Sequence, residues 1–205
     1  MARIEGVPRK QASPMAKLVY TFMPKGMKKL TGRDPQLGTG IEPLTVWAYS
    51  PKMMMAMGKF NGPMRKGKTV PQRIQNLIEL KAAAMIGCEF CMDLGSQICR
   101  NSGFTDDQLL AIPRYRASEL FTEEEKAALD FTVGFMRTPV DISDEVFANA
   151  KKHFSNKQLV EIAGLLTLVN LDRFNAAFAI GSAGFSEGIV CVPPEKPADL
   201  TRIVS

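Results

Sequence analysis

Two cysteines three residues apart, Cys88 and Cys91, enclose Glu89 and Phe90 and follow the apolar run Ala82-Ala83-Ala84-Met85-Ile86-Gly87. Glycine is poor inside a helix and good at a break, so Gly87 reads as a stop. Residues 90–100 read as helical again, which sets the pair on the first turn of a new helix. Unpaired amides and the positive dipole end there favour a thiolate over a thiol. Thiols so spaced can cycle between dithiol and disulfide, and Cys88, nearer the helix start, is the expected nucleophile. The plainer alternative is two small core residues that only pack.

A zinc reading needs a second ligand pair, and the remaining candidates, Cys99, Cys191 and the single histidine His153, are unpaired in sequence. No metal and no cofactor are therefore expected. Cys99, eight residues beyond Cys91, would lie about 12 Å along a continuous helix, too far for a bond. It reads as a small core residue. Cys191, in the proline-rich stretch Val190-Cys191-Val192-Pro193-Pro194, has no assignable place.

The elements that must carry the pair read as helices. Ser50-Pro51 is a cap with proline at the first helical position, followed by four methionines in Met53–Met57. Such methionines suit irregular core or interface gaps. Asn61-Gly62-Pro63 and Lys66-Gly67-Lys68 read as a loop, and Val70 to Ile86 as the next helix. Asn101-Ser102-Gly103 stops the cysteine helix. Three capping boxes follow, Thr105 with Gln108, Thr122 with Glu125 and Ser155 with Gln158, opening segments to about Ile112, Met136 and Ile180. Ile142-Ser143-Asp144 opens a short helix ending near Phe154. Gly181-Ser182-Ala183-Gly184 ends the last one, and the tail to Ser205 reads as irregular. No strand-like alternation between hairpin turns stands out, so the fold class is all-α with roughly seven to nine helices.

At 205 residues, 45% apolar and 23% charged, the chain can bury a substantial core. No apolar run approaches the roughly 20 residues of a membrane span, and the first ten residues lack a secretory apolar core. Four cysteines with one close pair suit a reducing cytoplasm. Residues 1–70 hold 13 Lys/Arg against 3 Asp/Glu, and residues 71–205 hold 13 against 18. A basic arm can mean nucleic acid, but no stacking or helix-turn-helix motif accompanies it, so a solvated arm packing on acidic surface is favoured.

Arg73-Ile74-Gln75-Asn76-Leu77-Ile78-Glu79-Leu80 through Gly87-Cys88-Glu89-Phe90-Cys91-Met92-Asp93 resembles the AhpD-like, or carboxymuconolactone decarboxylase, family. Gly103-Phe104-Thr105-Asp106-Asp107-Gln108-Leu109-Leu110-Ala111-Ile112 is similar to that family's next element, and Gln158-Leu159-Val160-Glu161-Ile162 resembles a C-terminal extension of longer members. On that basis residues 1–43 are a basic arm, 44–125 the CxxC core, and 126–205 a C-terminal helical part with an irregular tail. The resemblance implies a compact helical fold, oligomerisation through helix packing, and peroxidase or disulfide-reductase chemistry. Decarboxylase members generally lack the cysteine pair.

Two positions depart from the peroxidase pattern, which has Glu twelve residues before the first cysteine and His four after the second. This chain has Asn76 and Gly95 there, so the usual proton relay is missing. Gly95 then reads as a space requirement: either another helix comes close, or a larger substrate enters. Glu79, one turn beyond Asn76, is the nearest upstream carboxylate and a candidate catalytic group. Glu89 and Asp93 would raise a nearby thiol pKa, and His153 reads as a helix-terminal cation. In the last helix Glu161, Asn170, Arg173 and Asn175 interrupt apolar residues, with Asn170 and Arg173 on one face.

The leading expectation is a thiol-dependent oxidoreductase working through Cys88, Cys91 and Glu79. It would act on a peroxide or other small-molecule substrate, with an external dithiol or thioredoxin-like reductant and no nucleic-acid or membrane partner. Competing readings are a cofactor-free lyase on a small carboxylated acid, with Glu79 or Glu161 moving a proton, and a non-catalytic helical oligomer. Trp47, Met53, Met54, Met55 and Phe174 offer more apolar surface than a thin helical monomer buries, so a symmetric homo-oligomer is expected.

Overall fold

The computed structural model describes residues 2–33, 41–65 and 69–195, and among them the fold is all-α with no strand. The helices are α1 (Pro14–Thr31), α2 (Glu42–Trp47), α3 (Pro51–Arg65), α4 (Gln72–Ile86), α5 (Glu89–Asn101) and α6 (Asp106–Ala111). A 3₁₀ turn (Ile112–Ala117) follows, then α7 (Glu123–Met136), α8 (Asp144–His153), α9 (Asn156–Val169) and α10 (Asp172–Ala177). None is long and apolar enough to cross a membrane.

Helix α4 is the central element, packed against α5, α7 and α9. One side buries Ile74, Ile78 and Ala82 among Phe131, Ile162, Leu165 and Leu166. The other buries Leu77, Leu80 and Ala84 among Met92, Cys99, Leu109 and Leu129. A helix apolar on two sides has to be enclosed, and each large aliphatic side chain so buried contributes about 1.5–3 kcal/mol. The small run Ala82–Ala84 lets neighbours approach just before the cysteine pair. All three capping boxes form, Thr105 with Gln108, Thr122 with Glu125 and Ser155 with Gln158.

Two local readings are corrected, and the basic arm gains a helix. The basic arm contains α1, started by Ser13, whose hydroxyl accepts the Ala16 amide, and ended by Gly32 at φ 69°. Helix α3 runs through Asn61-Gly62-Pro63 instead of stopping there, and Arg65 at its end bonds back to Asn61 Oδ1 at 2.9 Å. The rest of that expected loop, residues 66–68, lies outside the described residues.

The expected last long helix, running to Ile180, is two helices. After Val169 the bonding tightens, with the Leu171 amide donating to Leu168 at 3.0 Å and Arg173 to Asn170 at 3.2 Å. Such i→i+3 closure ends an α-helix and redirects the chain. Asn170 and Arg173 do meet, through Arg173 Nε and Asn170 Oδ1 at 3.1 Å. The new direction brings α10 against α4 and α5.

Candidate active site

Gly87 ends α4 at φ 74°, and its amide donates back to Ala83. That left-handed turn costs glycine little. Cys88 follows in extended conformation as the N-cap of α5, and its sulfur accepts the Cys91 amide at 3.2 Å. The two cysteines are disulfide-bonded, with Cα atoms 5.2 Å apart. Cys88 is completely buried, in a cluster with Met27, Val46, Phe90, Ile180 and Phe185. Cys91 is partly open, and Asn175 Nδ2 of α10 donates to its sulfur at 3.5 Å.

A carboxyl that sequence reasoning missed stands beside them. Asp172, the first residue of α10, has an oxygen within 4.8 Å of both sulfurs. No hydrogen bond or ion pair from the described residues engages it. Asp172 is half-buried by surface; desolvation by the groups packed around it first, and then the charge of Glu79, push its pKa up to about 7, while Arg65 pulls the other way. The available signal was an acidic residue inside an otherwise apolar stretch. With both cysteines reduced, the three groups would still fall one donor short of a closed four-ligand zinc site.

Glu79 occupies an outer position. Arg65 Nη1 bonds both of its carboxylate oxygens at 2.9 Å, and its charge reaches Asp172. Asn76 lies at the far end of α5, donating to Ser102 Oγ at 2.9 Å and accepting from Gln72 at 2.8 Å. A carboxylate placed there would face Ser102 and not the cysteines. At Gly95 a Cβ would sit 3.1 Å from Leu80 Cδ1 of α4. A side chain there would have to displace Leu80, which favours the close-approach reading of that glycine.

The other candidates have structural partners. Glu161 accepts from the Thr69 amide at 2.7 Å and the Val70 amide at 3.2 Å, holding the entry to α4. His153 ends α8 behind Lys151 and Lys152. Glu89 is exposed at the start of α5. Asp93 is buried, and accepts amides from Ala183 at 2.9 Å, Phe185 at 3.0 Å and Ser186 at 2.6 Å. This fixes the loop after α10, and Phe185 meets Phe90 edge-to-face at 6.4 Å. Burial pushes the thiols of Cys99 and Cys191 above their ordinary value, which keeps both unreactive. Trp47 and Phe174 stack at 4.1 Å, so these expected interface residues are engaged within the chain.

The family model for the carboxymuconolactone decarboxylase family matches residues 51–133. The uncharacterized protein YnjA of Escherichia coli (strain K12) is 31% identical over 161 residues, 78% of this chain and 86% of that protein. The uncharacterized protein YdfG of Bacillus subtilis (strain 168) is 25% identical over 120 residues, 58% of this chain and 79% of that protein. The apo structure of the debrominase Bmp8 superposes with a TM-score of 0.69 at 23% identity, covering 97% of this chain and 96% of that one. An uncharacterized peroxidase-related protein with an alkylhydroperoxidase AhpD core, from Ralstonia eutropha JMP134, gives 0.68 at 14% identity, covering 90% and 94%. At these identities the structural likenesses establish the fold.

Proposed function

From the premise that the chain belongs to the carboxymuconolactone decarboxylase family, in its AhpD-like form, we propose that it is a thiol-dependent oxidoreductase cycling the Cys88–Cys91 disulfide. The observation that carries this reading is the pair itself, bonded at the start of α5 with Cys91 partly exposed and Cys88 buried behind it. The helix start favours Cys88 as thiolate, but Cys88 is completely buried. We therefore assign the attack to Cys91 and resolution to Cys88. The Cys91 thiolate attacks a peroxide oxygen, the O–O bond breaks, and an alcohol leaves. The Cys88 sulfur then displaces water from the resulting sulfenic acid and closes the disulfide. A partner's disulfide would be reduced by the same two thiols through a mixed disulfide. An external dithiol of the thioredoxin kind restores the pair, in the cytoplasm.

The test is a thiol count. Reduced, desalted protein is pulsed with tert-butyl hydroperoxide, and free thiols are titrated before and after. Two thiols per chain are expected to disappear in the native protein. Neither Cys88→Ser nor Cys91→Ser should form the intramolecular disulfide. Native protein that keeps all its thiols would reject the reading.

For assembly, exposed apolar residues remain on α1, where Met15, Leu18 and Phe22 share a stripe, and on α3, where Met53, 55% exposed, shares a face with Phe60 and Met55 is exposed as well. Met54 is buried within the chain. Patches of this kind mark interfaces, and we propose a symmetric homo-oligomer. Sedimentation equilibrium at micromolar concentration is expected to give a mass at least twice that of the 22.6 kDa chain. A monomer would overturn the assignment.

A further inference from the structure

We infer that Asp172 is the proton-accepting and proton-returning group of the Cys88–Cys91 centre, filling from the C-terminal helices the role left vacant at Asn76 and Gly95. The inference rests on the thiol-dependent reading and deepens it.

Three observations carry it. An Asp172 oxygen lies within 4.8 Å of both sulfurs, a separation one water can bridge. No described residue bonds that carboxyl, whereas Glu79 is held by Arg65, Asp93 by three amides and Glu161 by Thr69 and Val70. Gly95, against Leu80, leaves no side chain there to serve. The charged groups acting on Asp172 are Glu79 from α4 and Arg65 from α3; once the disulfide is reduced, the nearby thiols of α5 join them. On its own helix, Arg173 is exposed and bonded to Asn170. An ordinary aspartate is too acidic to take a thiol proton efficiently. One raised to about 7 is far better matched.

The proton balance closes. Asp172 carboxylate takes the Cys91 proton, and the thiolate attacks the distal oxygen of a hydroperoxide. The leaving alkoxide takes that proton from Asp172 and departs as an alcohol, with Cys91 now a sulfenic acid. Asp172 next accepts the Cys88 proton as the Cys88 sulfur attacks Cys91. The hydroxide expelled from Cys91 receives it and leaves as water. Two thiols are oxidised, one peroxide is reduced, and Asp172 ends ionised as it began.

The test compares reduced native protein with Asp172→Asn and Asp172→Glu, following thiol loss to tert-butyl hydroperoxide by stopped flow from pH 5 to 9. Circular dichroism melting monitors the fold. The native rate is expected to rise with pH through an inflection that belongs to Asp172. Asp172→Asn should lose that inflection and slow by about 10²-fold at pH 7, the lower end for a positioned acid–base group. Asp172→Glu should keep the inflection at an intermediate rate. An Asp172→Asn profile that matches the native one overturns the inference, as does uniform slowing with the inflection preserved, which would mean packing alone. Two-thiol loss persisting in Cys91→Ser would instead remove the thiol reading beneath it. Inert Cys91→Ser beside unaltered Asp172→Asn removes only the role of Asp172.

Discussion

Asparagine in place of Asp93 is expected to lower the free energy of unfolding by about 3 kcal/mol, since hydrogen bonds to a charged group contribute about 1.5–3 kcal/mol each. The carboxylate accepts three backbone amides, from Ala183, Phe185 and Ser186. Asparagine brings a single acceptor oxygen and points its own NH₂ at a donor. The cost falls on the site as well as on stability. Phe185 packs with Phe90 in the cluster that buries Cys88, so loosening residues 183–186 uncovers the inner cysteine. Urea unfolding measures the stability loss, and alkylation of Cys88 in the reduced protein measures the uncovering. A loss below about 1 kcal/mol, the worth of one ordinary hydrogen bond, would show that the amides find other acceptors.

Glu195→Ala is expected to destabilise by a similar amount, about 3 kcal/mol, because it strands a buried charge. Lys81 in the middle of α4 is 1% exposed, and Glu195 at 4% meets it at 2.5 Å. Burial lowers the Lys81 pKa, and Glu195 is the group that holds it up. Removing one partner of a buried pair costs more than the pair itself contributes. A lysine with a depressed folded pKa contributes stability present above its ordinary value of 10.5 and lost as pH falls through the lowered one. Without Glu195 the folded pKa drops further. The Glu195→Ala deficit should thus be larger at pH 6 than at pH 9. Equal deficits at the two pH values would mean that Lys81 leaves the core in the variant.

Local chemistry made the middle of the fold readable. The capping boxes at Thr105, Thr122 and Ser155 lie within four residues of the amides they satisfy, so sequence suffices. The break at Gly87 and the cysteine turn were readable for the same reason. Helix α1 has in Ser13-Pro14 the same start signal as Ser50-Pro51, but it is set in a lysine-rich segment whose charge pattern reads as a solvated arm. The break after Val169 depends on where α10 can pack, which no spacing encodes. For Gly95 the sequence narrowed the choice to two, and the position of Leu80 on a neighbouring helix favours close approach. Asp172 escaped notice because its meaning comes from residues distant in sequence.

That distance has a consequence for synthesis. Asn175 meets Cys91 across 84 positions, Ala183 meets Asp93 across 90, and Glu195 meets Lys81 across 114. At about 5–20 residues per second of elongation, the cysteine helix leaves the ribosome several seconds before its enclosing partners exist. Contacts of such separation also close slowly once the chain is free. Throughout that interval both thiols of a nascent chain are open to oxidants and to foreign cysteines. Pulse alkylation of stalled nascent chains should label Cys88 when the stall precedes emergence of residues 172–195, and should spare it afterwards.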